Sequence, residues 1–128
     1  MPGLTLQWME GELAVCRLAP DAAHPAWADA PTFSCITRTA EELSIICPSE
    51  QVPPTIQSER GWRGLKLCGP FPFTAVGIMA AVTGPLAQAG ISVLVVGTFD
   101  TDYVLVKSER REAVRLALEA AGHTFRGP

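Results

Sequence analysis

Apolar and polar positions along the chain fall into short alternating runs first and longer helical repeats later. Leu4–Met9 and Glu12–Leu18 are strand-like runs flanking Glu10-Gly11, a pair that predicts a hairpin turn. Residues 20–29 hold alanines and Trp27 behind Asp21, a helix-start signal, with Pro25 restricting any helix to a turn or two. Two further apolar runs, Thr32–Thr37 and Leu43–Cys47, are joined by five residues, Arg38 to Glu42, short enough for a hairpin. Ser49-Glu50 starts a turn of helix that Pro53-Pro54 stops, and Ile56–Arg60 reads as one more strand.

From residue 61 the elements lengthen. Trp62–Cys68 predicts a strand, with Arg63, Leu65 and Leu67 on one face and Lys66 on the other. Over Thr74–Ala89, Val76, Met79, Val82 or Thr83, and Leu86 recur at helical spacing. Thr74 stands where an N-cap belongs, Gly90 where a C′ glycine belongs, and Pro85 predicts a kink near the end. Ile91–Val96 is almost continuously apolar, the pattern of a strand covered on both faces. A turn at Gly97–Asp102 leads to a strand at Tyr103–Lys107. Ser108 then precedes a helix over Glu109–Ala121, whose stripe is Val114, Ala117, Leu118 and Ala121. Gly122 ends it, and His123–Phe125 predicts a last short strand.

The later order is β-α-β-β-α-β, the ferredoxin-like pattern. The earlier part reads the same way with its helices cut short. The fold class expected is α+β: two ferredoxin-like halves in tandem, residues 1–60 and 61–128, each an antiparallel sheet with helices on one face.

Composition narrows the function. The 128 residues are 48% hydrophobic and 18% charged, which argues against disorder. A formal net charge of -3 and the absence of any Lys/Arg run leave nothing to hold a phosphate backbone, so no nucleic-acid partner is expected. No apolar run approaches the ~18 residues of a membrane span, and the N-terminus lacks the pattern of a secretory signal, so no membrane partner and a cytoplasmic location are expected. Cys16, Cys35, Cys47 and Cys68 are widely spaced within apolar runs and read as reduced, buried thiols.

Catalytic patterns are sparse. His24 and His123 are the only histidines and form no i, i+4 pair; phosphate-binding glycine loops and nucleophile elbows are missing. Neither enzyme activity, cofactor nor metal is expected. Two polar segments could bind a ligand. Thr98, Phe99, Asp100, Thr101 and Asp102 crowd two carboxylates and two hydroxyls into one turn, which suits a cationic group; the same residues also serve ordinary turn chemistry. The connection from Gly69 through Phe71 and Phe73 to Thr74 could wall an apolar pocket and offer the N–H groups of a helix start to a carboxylate, or its rings could simply join the core.

Three stretches resemble a known family. These are Phe33–Pro48, Gly61–Leu67 followed by Gly69-Pro70-Phe71, and Gly90-Ile91-Ser92 leading to Thr98–Val106. They are similar to the CASTOR-type ACT proteins, which include the cytosolic arginine sensor of animals. The resemblance covers most of the chain from Leu13 to His123. It implies tandem ACT modules with a regulatory role and an amino acid bound between modules. Carried over by motif, the site would include Gly69, Phe71, Phe73 and Thr98 to Asp102, with Ser34, Ile36 and Thr37 as further candidates. A single pair of modules implies a homodimer that covers the exposed edge of the Ile91–Val96 strand. The alternatives are a protein-interaction module without a ligand, or a regulatory subunit of an enzyme of amino-acid metabolism.

Overall fold

The structure is a computed structural model that describes residues 3–127; residues 1, 2 and 128, the outermost of the two expected modules, lie outside the described residues. The chain forms two compact units, Gly11–Trp62 and a second that combines Met1–Glu10 with Arg63–Pro128.

The first unit contains β2 (Leu13–Leu18), β3 (Cys35–Arg38), β4 (Leu43–Pro48) and the start of β5 (Ser58–Leu67), following β1 (Thr5–Trp8) in the chain. Its strand order is β3-β4-β2-β5, all antiparallel. That is the ferredoxin-like order, with each helix reduced to one turn of 3-10 helix, Ala26–Ala28 and Ser49–Gln51. Pro25 and Pro53-Pro54 bracket those turns and explain their brevity. The predicted connection at Arg38–Glu42 closes the β3–β4 hairpin, with the Thr39 N–H donating to the Glu42 carbonyl at 2.9 Å. Ala14, Cys16, Ala28, Leu43, Ile45, Cys47 and Val52 form the core.

The second unit holds β1, the end of β5, α1 (Ile78–Gln88), β6 (Leu94–Gly97), β7 (Asp102–Lys107), α2 (Arg111–Ala120) and β8 (Thr124–Phe125). The strand order is β6-β7-β5-β1-β8. This is the ferredoxin-like order with β1 inserted between the first and last strands. β1 runs antiparallel to β5 and parallel to β8. The hairpin expected at Glu10-Gly11 therefore does not form: β1 pairs Leu6 with Leu67 and Trp8 with Leu65 instead of pairing with β2. Leu6, Leu65 and Leu67 are completely buried, and each such side chain contributes about 1.5–3 kcal/mol, far more than a turn preference. Residues 3–10, read in sequence with the first half, belong to this unit for the same reason.

Other elements shift. Ile56–Arg60 and Trp62–Cys68 merge into the single strand β5, in which Gly61 takes a left-handed conformation at φ +84 that a side chain would resist. The first helix begins at Ile78, not Thr74. Gly77 occupies the cap at φ +82, and Val76, expected on the buried stripe, is exposed. The second helix follows a 3-10 turn at Ser108–Arg110, so Arg110 rather than Ser108 stands before it. β6 is shorter than predicted and is not covered on both faces, since Val95 is 47% exposed. Among the described residues β6 pairs only with β7 and is an edge strand. Both helices end as the glycines predict. Gly90 donates to Ala87 and Ile91 to Leu86; Gly122 donates to Glu119 and His123 to Leu118.

Both helices pack on one face of this sheet. Val82 and Leu86 of α1 and Val114 and Leu118 of α2 meet Leu4, Leu6, Leu65, Leu67, Val104 and Val106. Trp8 stacks on Phe125 at 6.0 Å and carries the Arg111 guanidinium over its ring. No helix among the described residues is long and apolar enough to cross a membrane.

Candidate functional site

The β6–β7 turn is held by its own hydroxyls. Thr98 N–H and Oγ1–H both donate to the Thr101 carbonyl, at 2.8 and 2.9 Å, and Thr101 N–H donates back to Thr98 Oγ1 at 3.2 Å. Thr101 is buried, and its hydroxyl donates to the Leu67 carbonyl at the end of β5. The turn is thereby fastened to the strand that leads into the Gly69–Phe73 connection. A second tie runs between the segments: Phe71 N–H donates to the Asp100 carbonyl at 2.8 Å.

Gly69, Phe71, Phe73 and Thr98–Asp102, named from sequence, are thus brought together. Phe71 packs against the core, whereas Phe73 and Phe99 are 77% and 80% exposed and meet edge to face at 5.1 Å. A cleft of about 310 Å³ is lined by Phe71, Phe73, Ile78, Phe99, Asp100 and Asp102, among others. Gly69 is required by close approach. A Cβ there would lie 3.0 Å from Phe71 N and 3.1 Å from the Asp100 carbonyl oxygen.

The sequence reading missed a neighbouring cleft of about 230 Å³, lined by Lys66, Gly69, Pro70, Thr98, Asp100, Thr101 and Tyr103. The signal was available: Lys66 lies between the buried Leu65 and Leu67, and Tyr103 precedes the buried Val104, so both alternate onto the face away from the helices. One expectation is corrected here. The helix start does not immediately follow Gly69–Phe73, because Thr74 is not its cap. Ser34, Ile36 and Thr37 belong to the other unit. Ile36 and Thr37 are on β3, Ser34 lies just before it, and all three are exposed.

The thiols differ by environment. Cys16 and Cys47 are buried on neighbouring strands; burial pushes Cys16 up and Cys47 up to about 11, with the two thiols interacting. Cys35 and Cys68 are only partly buried, contrary to the sequence expectation, because both sit at strand ends. No group of three or more His, Cys, Asp or Glu among the described residues could hold a metal ion.

The family model of the ACT domain matches residues 57–120. The chain belongs to the ACT-domain family. A second family model, of an N-terminal domain, matches residues 11–55. No curated protein matches the chain. Among solved structures, this ACT protein is similar to protein Atu0741 of Agobacterium tumefaciens, at 40% identity and TM-score 0.93, covering 98% of this chain and 94% of that one. It also shares its fold with VC0802 of Vibrio cholerae, a protein of unknown function, at 21% identity and TM-score 0.73, covering 94% and 91% of the two chains. The same holds for the regulatory subunit of aspartate kinase from Thermus thermophilus, at 14% identity and TM-score 0.60, covering 88% and 93%. The mixed α+β fold expected from sequence is that of ACT modules. The finer resemblance to the CASTOR type is not among these matches.

Proposed function

We propose that this ACT protein is a regulatory, non-catalytic binder of a small metabolite, an amino acid, held at the Thr98–Asp102 turn and the Gly69–Phe73 connection. One observation carries the reading. Asp100 and Asp102 both line the aromatic cleft, and none of its lining residues is cationic. Two carboxylates beside exposed aromatic rings favour an ammonium group, through charge-assisted hydrogen bonds and the ring faces. The solved regulatory subunit of aspartate kinase, alike in fold, makes a regulatory role a natural one for such modules. The CASTOR-type resemblance supports an amino acid as the metabolite.

The test is a thermal-shift panel of amino acids on the whole chain. A ligand at ~100 times its dissociation constant adds ~2.7 kcal/mol of stability, and Asp102→Ala abolishes that gain while the protein stays folded. A panel in which no amino acid stabilises the protein overturns the reading.

The edge strand β6, with Val95 exposed, supports a homodimer in which a second copy covers it. A monomeric mass in light scattering at micromolar concentration overturns that part. A second reading, an interaction module without a ligand, is favoured by the exposure of Phe73, Val76 and Phe99. It predicts partner capture that survives dialysis and Asp102→Ala.

A further inference from the structure

An amino acid carries a carboxylate as well as an ammonium group, and each needs a partner. The helix start expected to receive the carboxylate is displaced to Ile78, four residues beyond Thr74. Of the residues that line either cleft beside the turn, Lys66 alone is cationic. It shares its cleft with Asp100, the hydroxyl-bearing Thr98 and Thr101, and the Tyr103 ring. Among the described residues neither Lys66 nor Asp100 forms an ion pair, so both charges remain available to a ligand.

We propose that the cleft on the sheet face away from the helices is a head-group site, in which the Lys66 ammonium takes a carboxylate and the Asp100 carboxylate takes the neighbouring ammonium of the same molecule. This rests on the proposed amino-acid binding and adds to it the residue that reads the acid. The pairing is selective by charge order. A carboxylate alone meets Lys66 but also the repulsion of Asp100, and an amine alone meets the reverse; a zwitterion satisfies both. Lys66 is held in place because its neighbours Leu65 and Leu67 are locked in the core, and Asp100 because its carbonyl accepts from Phe71. The aromatic cleft beyond the shared residues Thr98, Asp100 and Thr101 is then left for an apolar or cationic extension.

The experiment is an amide NMR titration of the whole chain with three probes: glycine, acetate and methylamine. Glycine is expected to bind most tightly and to shift Lys66, Gly69 and Thr98–Thr101. Lys66→Met weakens glycine by about tenfold or more and removes the acetate response, while methylamine binds more tightly once the repelling ammonium is gone. Lys66→Arg restores both. Glycine that leaves these amides unmoved at millimolar concentration, or that binds Lys66→Met as well as the natural protein, overturns the inference. The two proposals can be told apart. A blank amino-acid panel, glycine included, removes the metabolite reading and with it the head-group site. A stabilising amino acid indifferent to Lys66→Met removes the head-group site alone.

Discussion

His123 donates from Nε2 to the carbonyl of Ala81 at 2.9 Å, and that carbonyl is the one Pro85 leaves without a helical partner. In a regular helix the N–H of residue 85 would bond to residue 81; proline has none. The other ring nitrogen, Nδ1, accepts the Leu4 N–H at 3.0 Å. One buried imidazole, in its neutral Nε2–H tautomer, therefore closes two backbone vacancies, one in α1 and one beside β1.

This gives a double-mutant prediction. His123→Phe keeps an aromatic ring but strands a buried N–H and a buried carbonyl, at about 1–3 kcal/mol each. In a Pro85→Ala background the Ala81 carbonyl regains a helical donor. The cost of His123→Phe should then fall by about 1 kcal/mol or more. Urea unfolding of the four proteins measures the coupling; strictly additive costs would show that His123 does not serve the carbonyl.

Much of this was legible in the chain, and the exceptions have physical causes. The closing glycines Gly90 and Gly122 were readable because a left-handed C′ position leaves little choice of residue. The polar turn at Thr98–Thr101 was readable because its threonines supply their own bonds. The destination of β1 was hidden, since alternating strands state which face they bury but not which neighbour they choose. The start of α1 was hidden because a glycine cap such as Gly77 looks like a loop, whereas Thr74 imitates a cap. Lys66 escaped notice as a site residue because a lone lysine on a strand is ordinarily a solvated side chain.

Gly69 offers a test of the link between the two segments at the site. Adding a methyl group there presses on Phe71 N and the Asp100 carbonyl oxygen, the two atoms of the hydrogen bond that ties connection to turn. Both are backbone atoms and cannot swing aside. Gly69→Ala is expected to cost about 1 kcal/mol, the value of that bond, and to weaken binding of any stabilising amino acid more than it weakens the fold. Thermal shifts with and without the amino acid separate the two effects; an unaltered ligand shift would place the tie outside the binding function.

The buried thiols set a limit on alkaline stability. Cys47 titrates near 11 in the folded chain against 9.0 when unperturbed, and Cys16 is raised as well, chiefly because burial disfavours the thiolate. Below about pH 9 both states keep these protons and no stability depends on them. Between 9 and 11 the unfolded chain loses protons that the folded chain retains, so stability falls as pH rises through that window. Urea midpoints measured across it should decline in the natural protein and flatten in Cys16→Ala/Cys47→Ala, even though the double variant starts lower for want of two buried side chains. Iodoacetamide at neutral pH should label Cys35 and Cys68 well before Cys16 and Cys47, by mass spectrometry of the native protein. Equal labelling of all four would mean that the Cys16–Cys47 strand pair opens readily, and the slope with pH would then vanish with it.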